Sequence, residues 1–130
     1  MDPDTAVRRV CVLLVDDCPE QRDLYEVVLT QDFKVLSTSR GEFAIDIVHR
    51  ERPDVVVLDI DMPGIDGFET CRRLKANPST ASLPVIMLTG NDHSQNEGLA
   101  VGAFVVLQKP CPAPTLNDAI AAAFACSNDL

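Results

Sequence analysis

The chain has no apolar run long enough to cross a bilayer, no CxxC pair, no GxGxxG or P-loop motif, and no surplus of positive charge. The longest apolar runs, such as Val10–Val15, fall far short of the roughly 20 residues of a membrane-spanning helix. The opening MDPDTAVRRV carries no apolar core of a secretion signal, so a cytoplasmic protein away from membranes is expected. The five cysteines (Cys11, Cys18, Cys71, Cys111 and Cys126) are odd in number and widely spaced, which fits neither a disulfide framework nor a zinc site. Cys11 lies in an apolar run and reads as core; Cys18 and Cys111 read as free thiols. A net charge of −9 argues against a direct grip on nucleic acid, whose phosphates need a basic patch, and favours a bound cation or a basic partner. The two histidines, His49 and His93, join no metal-ligand or catalytic pattern and read as surface residues.

What is present suits one globular domain over residues 1–130, with a core over about 9–126. The 130 residues are 46% hydrophobic and 24% charged, and they contain no repeat, low-complexity tract or linker. Short apolar runs alternate with amphipathic stretches. Val10–Val15 reads as a strand buried on both faces, followed by a helix over Pro19–Leu29 with Leu24, Tyr25 and Val28 at helical spacing. Lys34–Thr38 is a second strand. Ser39 and Glu42 form a capping box ahead of a helix that turns Phe43, Ala44, Ile47 and Val48 inward. Val55–Leu58 is the clearest buried strand, and Asp66 N-caps a helix carrying Phe68, Cys71 and Leu74.

Pro84–Leu88 and Phe104–Leu107 are the fourth and fifth strands. Between them Ser94 and Glu97 offer another capping box, but Asn91, Asn96, Gly98 and Gly102 predict only a short, marginal fourth helix. The last helix runs from about Thr115 to Phe124, with Leu116, Ile120, Ala123 and Phe124 inward. Five β–α units with continuously apolar strands predict an α/β fold: a doubly wound parallel sheet with helices on both faces.

Four of the strand runs end in polar side chains: Asp16–Asp17, Asp59, Thr89, and Lys109 after Gln108. The carboxyl ends of strands in such a sheet share one edge, where ligands bind, so these groups should converge. Taken singly, each has a plain reading: a helix cap, a loop cap, a strand-end hydroxyl, a solvated lysine. Taken together they make chemical sense. Carboxylates brought together repel unless a cation lies between them, and Mg²⁺ suits such hard oxygen ligands. An Asp can act as a nucleophile toward phosphorus, and a lysine and a hydroxyl can hold the other phosphoryl oxygens.

LLVDD (Leu13–Asp17), VVVLDIDMPGIDG (Val55–Gly67), PVIMLTG (Pro84–Gly90) and LQKP (Leu107–Pro110) resemble the receiver domains of two-component response regulators, in order and spacing over nearly the whole chain. The resemblance implies a flavodoxin-like (βα)5 fold with strand order 2-1-3-4-5. It implies that Asp59 is the phosphoacceptor, that Asp16, Asp17, Asp59 and the backbone carbonyl of Asp61 hold Mg²⁺, and that Thr89 is the switch hydroxyl. Lys109 would pair with the acceptor or its phosphate, and the Lys109–Pro110 bond would be cis. Asp61 and Asn91 match positions that flank the attacking water and tune phosphate lifetime.

Implied partners are a sensor histidine kinase or phosphotransfer protein, and a downstream protein target or an output domain not present here. A phosphorylation-dependent dimer is also in keeping with the family. The signal would leave through the face made by the fourth helix, fifth strand and fifth helix. Three positions depart from the family pattern. Val106 stands where an aromatic is usual, with Phe104 two residues earlier; Gly90 replaces the common Ala; and Cys111–Pro114 is rich in proline. A non-standard output face is therefore expected.

Two other readings compete. VVVLDIDMP is also similar to the hhhhDxDx motif of haloacid-dehalogenase-like phosphatases, with Asp59 as nucleophile and Asp61 as acid. There, however, the motif lies on the first strand and an acidic pair follows the lysine. The second is an interaction module on the same fold that works without phosphorylation, to which Val106 and the weak fourth helix lend weight.

Overall fold

A computed structural model describes residues 9–91 and 94–127. His93 lies outside the described residues; His49 is exposed, as expected. The chain runs β1 (Cys11–Val15), α1 (Pro19–Thr30), β2 (Lys34–Thr38), α2 (Gly41–Glu51), β3 (Val55–Asp59), α3 (Gly67–Ala76), β4 (Val85–Thr89), α4 (Gln95–Ala100), β5 (Val105–Gln108) and α5 (Ala113–Ser127). All strand pairs are parallel and the sheet order is β2-β1-β3-β4-β5. This is the doubly wound sheet that the alternating pattern predicts.

β1, β3 and β4 are buried along their whole length, as continuous runs of Val, Leu and Ile require when helices cover both faces. Alternate residues serve the two sides. Leu13, Val15, Val56, Leu58, Val85 and Met87 pack with Ala44 and Val48 of α2 and with Cys71 and Leu74 of α3. Val12, Leu14, Val55, Val57, Ile86 and Leu88 pack with Tyr25 and Leu29 of α1 and with Leu116, Ile120 and Ala123 of α5. α4 joins the first side, where Gly98 lets Val106 and Met87 approach its backbone. No helix among the described residues is long and apolar enough to cross a membrane.

Several local expectations are corrected. Leu24 is 63% exposed and Phe43 is 52% exposed. Each residue turns the helix by about 100°, so Leu24 falls off the stripe that Tyr25 and Leu29 bury, and Phe43 off that of Ala44 and Val48. The capping box at Ser39 does not form: Arg40 is the N-cap of α2, without a side-chain bond, and the carboxylate of Glu42 is used elsewhere. Ser94 makes no side-chain cap either, and α4 is six residues long. Asp66 does cap α3, accepting the Glu69 N–H at 2.9 Å. α5 starts at Ala113, two positions before Thr115, because Pro114 is compatible with a first helical turn.

The turn from β3 into α3 is tight. Gly67 donates its N–H to the Ile60 carbonyl at 2.8 Å. A Cβ at Gly67 would lie 2.7 Å from the Asp59 carbonyl oxygen and 2.7 Å from Ile60 Cα, both backbone atoms that cannot swing away. At Gly90, by contrast, an added Cβ meets nothing within 4 Å. Gly67→Ala should therefore lower unfolding free energy by roughly 1–3 kcal/mol, and Gly90→Ala by less than about 0.5 kcal/mol. Urea titration of both variants checks this, and equal midpoints would contradict it.

Candidate functional site

The parallel register brings the strand ends together. Asp16 and Asp17 follow β1, Asp59 closes β3, Thr89 closes β4, and Lys109 follows β5. Asp59 pairs with Leu88, and Thr89 with Gln108, so neighbouring strands end level with each other. Oxygen atoms of Asp16, Asp17 and Asp59 all lie within 4.8 Å of one another. Asp16 and Asp59 are buried, at 1% and 4% exposure, whereas Asp17 faces solvent.

Backbone N–H groups hold the Asp16 and Asp59 carboxylates in place. Asp16 donates its N–H to the Thr38 carbonyl at 3.1 Å, its own carbonyl accepts Arg22 Nη1 at 2.8 Å, and its Oδ1 accepts the Cys18 N–H at 3.0 Å. Its Oδ2 is buried without a hydrogen-bond partner among the described residues. Asp59 Oδ1 accepts the Asp61 N–H at 3.2 Å, and Oδ2 pairs with Lys109 Nζ at 3.1 Å. Burial pushes the Asp59 carboxyl up from 3.8 to about 6, against the pull of the Lys109 ammonium; the nearby charge of Asp16 adds to the rise.

This donor set fits a divalent cation of the Mg²⁺ type. All the donors are hard oxygens, a buried carboxylate oxygen lacks a partner, and the exposed side at Asp17 leaves room for water ligands. A cation there would offset the lost hydration that raises Asp59 and the smaller repulsion from Asp16.

Lys109 is held from two sides: Nζ donates to Gln21 Oε1 at 2.7 Å besides pairing with Asp59. Its backbone N–H donates to the Thr89 carbonyl at 2.7 Å, and the Lys109–Pro110 bond is cis. Thr89 closes β4, next to the strand that Asp59 closes. Its hydroxyl accepts the Asn91 N–H at 2.9 Å and lies 3.4 Å from the Asn91 carbonyl. Val106 is buried against α4, and a cavity of about 230 Å³ bordered by Thr89, Asn91 and Val106 opens beside it. Cys18 and Cys111 are free thiols, and burial pushes the Cys111 thiol up.

Glu42 and Gln21 are the residues that sequence reasoning missed. Glu42 Oε1 accepts the Ile65 N–H at 2.9 Å and crowds Gly64, whose φ of 79° suits glycine. This clasps the loop carrying Asp61 and Met62 onto α2, and the Ile65 N–H lowers the Glu42 carboxyl below its usual range. Gln21 is 88 positions from Lys109, and no local signal marks the pair.

A family model described as response regulator receiver domain matches residues 12–121. Protein PilH of Pseudomonas aeruginosa is 35% identical over 117 residues, covering 88% of this chain and 97% of PilH. Response regulator PleD of Caulobacter vibrioides is 39% identical over 102 residues, covering 76% of this chain and 22% of PleD. The transcriptional regulatory protein AfsQ1 of Streptomyces coelicolor is 38% identical over 85% of this chain and 49% of its own length. The chain thus spans at most about half of PleD and AfsQ1.

A putative response regulator from Chloroflexus aurantiacus superposes with a TM-score of 0.87 at 30% identity, over 91% of this chain and 99% of that one. The chemotaxis response regulator CheY4 of Vibrio cholerae gives 0.82 at 29%, over 88% of this chain and 98% of that one.

The raised carboxyl of Asp59 has a consequence for stability. Because its folded value is about 6 and its ordinary value 3.8, the folded chain binds more protons than the unfolded chain between those pH values. Stability of the metal-free protein should fall as pH rises through that window, by on the order of 2 kcal/mol. Asp59→Asn should flatten the slope, and Mg²⁺ should flatten it in the unsubstituted protein. Denaturant titrations from pH 4 to 7, in chelator and in Mg²⁺, measure both; a slope unchanged in Asp59→Asn would rule out this source.

Proposed function

The chain belongs to the response regulator receiver domain family, a family of phosphoaccepting signalling domains, and we propose that its acceptor is Asp59, working with Mg²⁺ and Lys109. The observation that carries this reading is the Asp59 carboxylate itself. It is buried at the end of β3, 3.1 Å from the Lys109 ammonium and within 4.8 Å of the oxygens of Asp16 and Asp17.

On this reading Asp59 Oδ attacks the phosphorus of a phosphohistidine on a sensor kinase or phosphotransfer protein. The O–P bond forms as the P–N bond breaks, and the bonding pair leaves with the imidazole nitrogen. Asp16, Asp17, Asp59 and the Asp61 carbonyl would hold Mg²⁺, which supplies neutralisation of the charge on the transferring oxygens. Lys109 meets a phosphoryl oxygen as negative charge moves outward from the carboxylate. Thr89 gives up its bonds to Asn91 and turns toward the new phosphoryl group. Because Lys109 N–H bonds the Thr89 carbonyl, movement of the β4 end is felt at β5.

The output face is then α4, β5 and α5, read by a protein target or an attached output domain, in the cytoplasm. With Val106 buried against Gly98, no ring at that position takes part. The phosphatase alternative lacks support, since its nucleophile belongs on the first strand and Asp59 closes β3.

Intact-protein mass after incubation with acetyl phosphate tests the acceptor; the chain has no tryptophan to report by fluorescence. One phosphoryl group should be added with Mg²⁺ and none without it. Asp59→Asn should take none, and a mutant still phosphorylated would place the acceptor elsewhere. If Asp59→Asn takes no phosphoryl but binds the partner as well as the unsubstituted chain, the phosphorylation-independent reading gains. Exchange of Asp61 or Asn91 should change the dephosphorylation rate several-fold with melting temperature unmoved; unchanged lifetimes in both variants would refute their role.

A further inference from the structure

We propose that Gln21 is a positioning residue for Lys109: its neutral amide oxygen anchors the ammonium so that one lysine can serve first the carboxylate and then the phosphoryl group. The inference rests on the reading of Asp59 as acceptor and concerns a residue outside the strand-end set.

A lysine ammonium is a compact charge on a flexible four-carbon stem, with three N–H donors to place. Here two donors are engaged, and the shorter bond, 2.7 Å, goes to Gln21 Oε1; the contact with Asp59 Oδ2 is 3.1 Å. The ammonium is therefore anchored on the amide and leans toward the carboxylate. The anchor rests on fixed backbone. Gln21 lies in the first turn of α1, begun by Pro19, and the next residue ties that turn to the β1 end through Arg22 Nη1 and the Asp16 carbonyl at 2.8 Å.

The chemistry of the anchor matters. As the acyl phosphate forms, negative charge shifts from the carboxylate to oxygens farther out. The ammonium must follow without being captured by another anion. A neutral acceptor at 2.7 Å orients Lys109 without adding a second counter-charge to that of Asp59. A carboxylate there would make a second ion pair and would also repel the incoming donor. A purely apolar side chain would let the stem choose among rotamers, and the preorganisation that favours the transition state would be lost. The pair is also accessible, because Gln21, Gly90 and Lys109 border an open groove of about 480 Å³ from which a small acyl phosphate can approach.

The test uses the full chain with acetyl phosphate and Mg²⁺, following phosphoryl uptake by mass, alongside Mg²⁺ affinity and melting temperature. Gln21→Met keeps the length and removes the acceptor; Gln21→Glu keeps the shape and adds charge. Uptake should slow by roughly 10-fold in Gln21→Met, the lower end of the effect of removing an orienting partner, and further in Gln21→Glu. Mg²⁺ affinity and melting temperature should stay unchanged in Gln21→Met. Lost packing alone would not order the variants by charge. An unaltered rate in Gln21→Met, or equal slowing in both variants matched by lower melting temperature, overturns the assignment to Gln21 alone. If the unsubstituted chain takes up no phosphoryl group while folded and Mg²⁺-bound, the acceptor reading falls and this inference with it.

Discussion

A carboxylate buried at the end of a strand sets the terms for everything near it. Asp59 is buried beside a second buried carboxylate, Asp16, and one ammonium does not offset the loss of hydration, so its proton is held to about pH 6. The remedies available are a cation between the acids, a firmly oriented lysine, and backbone N–H groups aimed at the oxygens. The structure has the second and third, and its acidic cluster is shaped for the first. On the reading of Asp59 as acceptor, the same tension gives the site its reactivity. A carboxylate poorly solvated by its surroundings gains when a cation draws close, and a phosphoryl group then moves charge outward to where the lysine and solvent can meet it.

Side chains from the helices that flank the sheet hold this arrangement in place. Arg22 of α1 secures the Asp16 carbonyl and Glu42 of α2 clasps the Ile65 N–H. Each meets a loop that follows a strand end. Single directed bonds help to fix the shape of these loops. Gln21 belongs to this group, though it acts on the side chain of Lys109 rather than on the backbone. α1 thus reaches both an acidic and a basic end of the site, through the neighbouring residues Arg22 and Gln21.

The sheet and most of the site were legible in the sequence because their signals are local and redundant. VVVL and PVIML can be little other than buried strands, and residues at the strand ends must share an edge once the sheet is parallel. What escaped is what depends on distance or on helical phase. Leu24 and Tyr25 look equally apolar in sequence, and only docking of α1 on the sheet decides which is buried. Ser39 and Glu42 have the spacing of a capping box, yet Glu42 finds a better donor in Ile65, 23 residues away. Thr89 was placed correctly by its strand, but its hydroxyl bonds its own loop at Asn91. Gln21 carries no signal at all, since a glutamine in a first helical turn is ordinary until the chain brings a lysine to it.

The two outer strands of the sheet are short. β2 has five residues beginning with the exposed Lys34, and β5 has four. An outer strand offers unpaired backbone groups to any extended chain it meets, and length and flatness are what make that offer effective. Rows this brief, one of them opened by a charge, make poor templates for cross-β growth. The chain therefore has a built-in resistance to aggregation by strand addition.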